Sequence, residues 1–345
     1  MSDEPAPDPA VVLDLMSAFR RSKTMFAAVS LGAFDALSAG PRNSADLAVE
    51  LRADREALAR LLNACVGLGL LARDGEAYVN TPAAAAYLCQ DSPRRLTGYL
   101  GFSNTVMWNL WSRLEDAVRE GTHRWRQVYD GDGPIFAHFF RTDEALREFL
   151  LGMHGYGLIS SPKVVAAFDL SRFERLVDLG GATGHLAIAA CERYPRLQAT
   201  VFDLPEALPL ASEVVAASPV ADRVGVAGGD FFADPLPPAD LYALGRILHD
   251  WTEAKIDLLL GRIHAALPAG GGLLIAEKLL LPDKSGPLWA QMQDLNMLAC
   301  TEGRERTAAE YETLLRAAGF SRVEARTTDS PLDAVLAVKQ GGEIR

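Results

Sequence analysis

A chain of 345 residues with a formal charge of −11 is too long for one ordinary hydrophobic core and suits two domains. The acidic balance argues against a nucleic-acid partner, because phosphate binding draws on clustered Lys and Arg, and the arginines here are interleaved with acids. No stretch approaches the ~20 apolar residues of a membrane helix, and neither the four cysteines nor the six histidines show a metal-ligand spacing, so reduced thiols and chemistry without a metal are expected.

Residues 1–10 carry three prolines and three acids, which predicts a disordered tail. They lack the basic start and apolar run of a secretion signal, and the expected address is the cytoplasm. Val11 to Leu37 is apolar around much of its circumference, more than a lone surface helix needs, which points to a seam between two copies of the chain. Asn43-Ser44 caps a short helix through Leu51, a further helix runs from about Asp54 to Leu68, and two short strands flank Asp74-Gly75. That order is a winged-helix pattern. Its recognition-type helix balances two arginines against two acids and is otherwise mostly apolar. Such a surface packs against protein, which weighs against a DNA-binding regulator that senses a metabolite.

From Pro82 to Phe168 the pattern is mainly helical, threaded by Trp108, Trp111, Trp125, Phe136, Phe139 and Phe140. Most of these rings read as core. Residues 11–168 are therefore taken as a helical, winged-helix-like domain for dimerisation and substrate, and 169–345 as a cofactor-binding catalytic domain.

In the second domain, apolar runs at 176–180, 199–204, 224–232, 241–248 and 271–280 alternate with helical segments. This predicts an α/β fold with a parallel sheet covered on both faces. The last two runs, 320–329 and 333–340, are joined by a turn too short for a crossover helix, so they must pair antiparallel. A mostly parallel sheet with an antiparallel last strand is the architecture of Rossmann-like methyltransferases, whereas nicotinamide dehydrogenases of the standard form stay parallel.

Three strand ends then suggest an adenosine ligand. Asp178-Leu179-Gly180-Gly181-Ala182-Thr183-Gly184 leads into a helix whose N-terminus a ligand can approach closely. Asp203 stands where a carboxylate can bind both ribose hydroxyls, with a helix cap before Pro205 as the plainer reading. Gly229-Asp230-Phe231 offers an acid for the adenine amino group and a ring for the base. With the antiparallel end, these favour S-adenosylmethionine over NAD. His249 follows the fourth strand, with Glu277 ending the next strand and Glu305 before a later helix. A His between carboxylates suits removal of a hydroxyl proton near neutral pH.

The segments FDLSRFERLVDLGGATG, VFDLPE, GDFFADPLP, RILHDW, LNMLACTEGRERT and LDAVLAVK, with SLGAFDAL and LEDAVREGT before them, resemble the plant-type small-molecule O-methyltransferases, and acetylserotonin O-methyltransferase and its relatives in particular. The resemblance covers nearly the whole chain. It implies a homodimer acting on a small hydroxylated, aromatic molecule, with His249 as base flanked by Glu277 and Glu305. It also implies Gly180, Asp203, Asp230, Phe231 and Arg246 at the cofactor, with Arg246 near its methionine part. Trp108, Met153, Asp250, Asn296, Met297 and Cys300 are the candidates for the acceptor pocket, and each could equally be core. Three positions differ from the pattern: Ala182 stands where many members keep Gly, Cys300 where acetylserotonin-specific enzymes place Gln, and Gly157 near an aromatic cofactor contact that Tyr156 could supply instead. Relatives using the same cofactor for decarboxylation or hydroxylation would have lost the base that His249 retains.

Overall fold

In the computed structural model, which describes residues 7–130 and 142–341, Pro9 leads into the helix Ala10–Ser30. Val12, Leu15, Met16 and Phe19 on this helix are each more than half exposed, an apolar face left uncovered among the described residues. Gly32, at φ +75°, breaks the helical run and starts the short helix Ala33–Ala36, so the apolar stretch predicted from Val11 to Leu37 is two helices. Asn43 caps Ser44–Glu50 by accepting from the Asp46 N–H, and Asp54 caps Arg55–Gly67 through the Glu56 and Ala57 N–H groups. Strands β1 (Leu71–Asp74) and β2 (Ala77–Asn80) pair antiparallel around Gly75. Leu58, Leu62 and Cys65 lie on one face of Arg55–Gly67 and join Phe34, Leu47 and Tyr78 in the core of this unit.

The chain divides into two compact units at Thr105/Val106, upstream of the 168/169 boundary expected from composition. The difference lies with the helix Asp143–Ala166, which packs along the helix His185–Arg193 and so belongs with the sheet. Of the expected N-terminal tail, Ala10 is already helical, and residues 1–6 lie outside the described residues, as do Phe136, Phe139 and Phe140 of the aromatic series. Among the described residues no helix is long and apolar enough to cross a membrane.

The second unit is built on seven strands: β3 (Arg175–Leu179), β4 (Gln198–Asp203), β5 (Val224–Gly228), β6 (Leu241–Gly245), β7 (Gly272–Glu277), β8 (Phe320–Arg326) and β9 (Asp333–Lys339). Their order across the sheet is β5-β4-β3-β6-β7-β9-β8. β3 to β7 run parallel, β9 inserts antiparallel beside β7, and β8 pairs antiparallel with β9. Every residue of β7 is buried, as the continuous apolar run predicts for a strand covered on both faces. The edge strand β8 instead keeps much of its length accessible. The order reverses between β3 and β6, and the loops after the parallel strands open on one edge of the sheet. In open α/β sheets ligands bind at such a switch point.

Candidate active site

The loops after β3, β4 and β5 carry the residues expected at the cofactor. Gly180 leaves β3 at φ +67°, and a Cβ there would fall 2.5 Å from Ile247 Cδ1 and 3.3 Å from Phe231 Cε1. Ile247 packs directly against the loop backbone there, so only a glycine fits. Ala182 holds φ +51°, a conformation most residues avoid, and its N–H donates to Asp203 Oδ2 at 2.7 Å. Asp203 Oδ1 accepts from the Leu204 N–H, also at 2.7 Å. Each carboxylate oxygen has a further lone pair, so the Asp203 cap and a diol contact are compatible. Burial raises its pKa, against the pull of those two N–H groups. Asp178, one residue before the end of β3, is pushed up to about 7 by burial and by Asp203, and its Oδ2 has no partner among the described residues. Asp230 is half-buried and accepts from the Phe232 N–H. Phe231 meets Phe232 edge-on, and Phe232 meets Trp251 the same way.

The His249 cluster lies one strand further on. After β6, Arg246 adopts φ +58° and a single 3-10 turn, Leu248–Asp250, carries His249. Its side chain is 4% exposed. Nδ1 lies 2.7 Å from Glu305 Oε1 and Nε2 lies 3.7 Å from Asp250 Oδ1. A carboxylate only accepts, so Nδ1 carries the hydrogen and Nε2 is left to exchange a proton. Burial by itself would lower the imidazole pKa, but Glu305, Asp250 and Glu277 outweigh it and raise the value to about 9.

Glu277 holds this arrangement from behind. Its Oε1 accepts from the Leu248 N–H at 2.7 Å and the His249 N–H at 3.2 Å, and its Oε2 from the Tyr311 hydroxyl. The two glutamates thus divide the work expected of both: Glu305 touches the imidazole, whereas Glu277 touches the backbone that carries it. Gly303 makes the Glu305 contact possible, because a Cβ there would sit 2.2 Å from the His249 carbonyl oxygen. Asp294 then accepts from the Glu305 N–H at 2.9 Å. Donor atoms of His249, Glu277 and Glu305 all lie within 4.8 Å of one another, close enough for one cation, but both oxygens of Glu277 and Nδ1 of His249 already have protein partners.

Several acceptor candidates meet on the helix Leu288–Cys300, where Cys300 Sγ lies 3.6 Å from Asn296 Oδ1. Asp250 flanks His249, with its carboxyl raised to about 6 by burial. Cys300 is buried with Leu110, Trp125 and Ala299, and burial followed by the Asp250 charge pushes its thiol up. Asn296 accepts from Trp111 Nε1 at 2.8 Å, Met297 is buried, and Trp108 and Met153 are half-buried.

The O-methyltransferase domain family matches residues 111–321, and the O-methyltransferase dimerisation domain family matches residues 13–90. The chain belongs to the S-adenosylmethionine-dependent O-methyltransferases. It is 40% identical over 338 residues to chicken (Gallus gallus) acetylserotonin O-methyltransferase, covering 96% of this chain and 97% of that one. It is also 40% identical over 336 residues to a human probable bifunctional dTTP/UTP pyrophosphatase/methyltransferase protein, of which it covers only 54% against 96% of itself. The solved structure of human N-acetylserotonin methyltransferase in complex with SAM superposes with a TM-score of 0.92 at 36% identity, covering 99% of this chain and 100% of that one.

For this O-methyltransferase the donor set fits the cofactor. A glycine turn with positive φ, a strand-end carboxylate and a half-buried phenylalanine follow one another along the sheet, and the buried Asp178 Oδ2, unpartnered among the described residues, lies against the same glycine loop. Three residues of the site carry no sequence signal of their own. Tyr311 and Arg306 are buried beside the turn that carries His249, the latter donating from Nη1 to the Leu248 carbonyl at 3.2 Å; Asp294 is the third. Tyr311 lies on the buried face of Ala308–Ala317, four residues before Leu315, as any core residue of that helix would.

Proposed function

We propose that this O-methyltransferase methylates a hydroxyl of a small aromatic acceptor, with His249 Nε2 as the general base. The observation that carries the reading is the buried 2.7 Å pair between His249 Nδ1 and Glu305 Oε1, set at the sheet edge beside the glycine loop. When bound, the cofactor supplies a methyl carbon on a positively charged sulfur, which the acceptor oxygen displaces. Gly180, Asp203, Asp230, Phe231 and Arg246 are the residues that would hold it. As the acceptor hydroxyl gives up its proton to Nε2, the imidazolium that forms is stabilised by Glu305, while Glu277 keeps the 248–249 backbone from shifting. A base near 9 is well matched to a phenol of pKa ~10, because proton transfer between them is almost isoenergetic. Asp250 and Asn296 offer polar contacts to the rest of the acceptor. Screening 5-hydroxyindoles and naphthols for S-adenosylhomocysteine release tests the class; turnover of amine acceptors alone would overturn it.

The raised pKa sets a pH dependence. Nε2 must be free of its proton to act, so at saturating cofactor kcat/KM for the acceptor should climb about tenfold per pH unit through the neutral range. It should level off no higher than the value of about 9 that the surrounding carboxylates set against burial, since a nearby sulfonium disfavours the imidazolium. A flat profile from pH 6 to 9 with a weakly acidic phenol would contradict the base. The reaction is also taken to need no metal: chelator should leave turnover unchanged, and a loss restored by added cation would reverse that reading.

The exposed apolar face of Ala10–Ser30 is proposed to seat a second copy, giving a homodimer in the cytoplasm, where the four unpaired cysteines stay reduced. Deleting residues 1–37 should yield monomer or aggregate by light scattering. A fully active, well-behaved monomer from that deletion would end the proposal.

A further inference from the structure

Arg246 sits where β6 leaves the sheet, and its backbone holds φ +58°, a conformation that persists in an L-residue only where the surroundings determine it. Its backbone N–H donates to the Ala276 carbonyl at 3.0 Å, and its side chain reaches Tyr156. The Arg246 guanidinium carbon lies 4.8 Å from the centre of the Tyr156 ring, within cation–π range. Tyr156 in turn is 7% exposed on the helix Asp143–Ala166. Trp289, half exposed in the first turn of the helix Leu288–Cys300, stacks on it with ring centres 6.2 Å apart and planes 19° from parallel.

The place of Tyr156 is itself set by the glycine loop. Next to it, Gly157 packs so closely that a Cβ would fall 2.2 Å from the His185 ring. His185 Nδ1 is 2.9 Å from Ser161 Oγ, and His154 Nδ1 is 2.9 Å from Thr183 Oγ1. These contacts tie the long helix to the loop and to the helix it opens. His185 adds no charge there, because burial, with His154 and Arg246 beside it, lowers its pKa to about 3. Arg246 stays cationic, and a guanidinium held against a ring face is less hydrated and better preorganised for a carboxylate than a free one.

We propose that Tyr156, backed by Trp289, is a positioning residue that holds the Arg246 guanidinium for the carboxylate of the cofactor's methionine arm. The inference rests on the reading that Arg246 serves that arm. Calorimetry with two ligands separates the two: S-adenosylhomocysteine carries the amino-acid arm, and 5′-methylthioadenosine keeps the adenosine and thioether without it. Tyr156→Leu should weaken S-adenosylhomocysteine by about three- to thirtyfold, the span of a partly to fully desolvated cation–π contact, and leave 5′-methylthioadenosine unchanged. Tyr156→Phe, which keeps the ring face, should bind both as wild type does. Trp289→Leu, at a half-exposed site that tolerates the change, should shift the same preference by less. Arg246→Ala should erase the preference for the longer ligand; if it does not, the assignment of Arg246 to the arm fails. If Arg246→Ala erases it while Tyr156→Leu and Trp289→Leu weaken both ligands alike, or neither, the positioning role of Tyr156 is overturned. Should Tyr156→Leu fail to fold, the Trp289→Leu preference decides.

Discussion

Replacing His249 with alanine should lower methyl transfer by the ~10²–10⁴ typical of a lost general base and leave S-adenosylmethionine binding nearly intact. The separation follows from position. His249 faces Glu305 and Asp250, whereas the residues assigned to the cofactor leave β3, β4 and β5, with Arg246 at the root of the His249 loop. The loss should fall on kcat and kcat/KM alike, as for an interaction made mainly in the transition state. Glu305→Gln should follow in the same direction by a smaller amount, since an amide can still accept from Nδ1 but cannot stabilise an imidazolium as a charge does. Isothermal calorimetry beside steady-state rates checks both halves. A His249→Ala enzyme that loses cofactor affinity as much as rate would place the residue at the cofactor instead.

Asp203→Ala should lower S-adenosylmethionine affinity at least tenfold. Two hydrogen bonds from ribose hydroxyls to a carboxylate are each worth ~1.5–3 kcal/mol, and the alanine removes both. It also frees the Ala182 and Leu204 N–H groups that Asp203 now satisfies, so the glycine loop, with Ala182 at φ +51°, loses one of its restraints. Both effects act in the same direction on binding. A thermal melt separates them, because the loop bonds contribute to stability without ligand and the ribose bonds do not. Unchanged affinity with a lowered Tm would leave Asp203 as a cap alone.

Much of this site was legible because it sits at strand ends. Continuous apolar runs announced β3 to β7, and whatever polar residue closed such a run had to lie on the ligand edge; that reasoning reached Asp203, Asp230, His249 and Glu277. The short Ser330-Pro331 link gave the antiparallel end, although not that β9 would insert between β7 and β8, which depends on how the sheet closes over its helices. What stayed hidden depends on contacts between distant segments. Nothing in their spacing tells that Glu305 meets the imidazole while Glu277 meets two N–H groups of the loop. The same holds for Tyr311, which caps Glu277 from a helix 34 residues on, and for the Gly157–His185 approach, where a missing side chain is the signal. The compact units divide at Thr105/Val106 and not at 168/169 for a related reason: a long helix with buried Gly152, Gly155 and Gly157 packs on a sheet helix that follows it in the chain.

The most direct test of the base is the ratio of wild-type to His249→Ala turnover across phenols of one shape and graded acidity, measured at a single pH with saturating cofactor. A phenol that is already ionised in water needs no base, whereas one with a pKa well above the assay pH does. The ratio should therefore fall towards one for the most acidic phenols and reach the full ~10²–10⁴ for the least acidic. A ratio that stays the same across the series would show that His249 shapes the pocket without taking the proton.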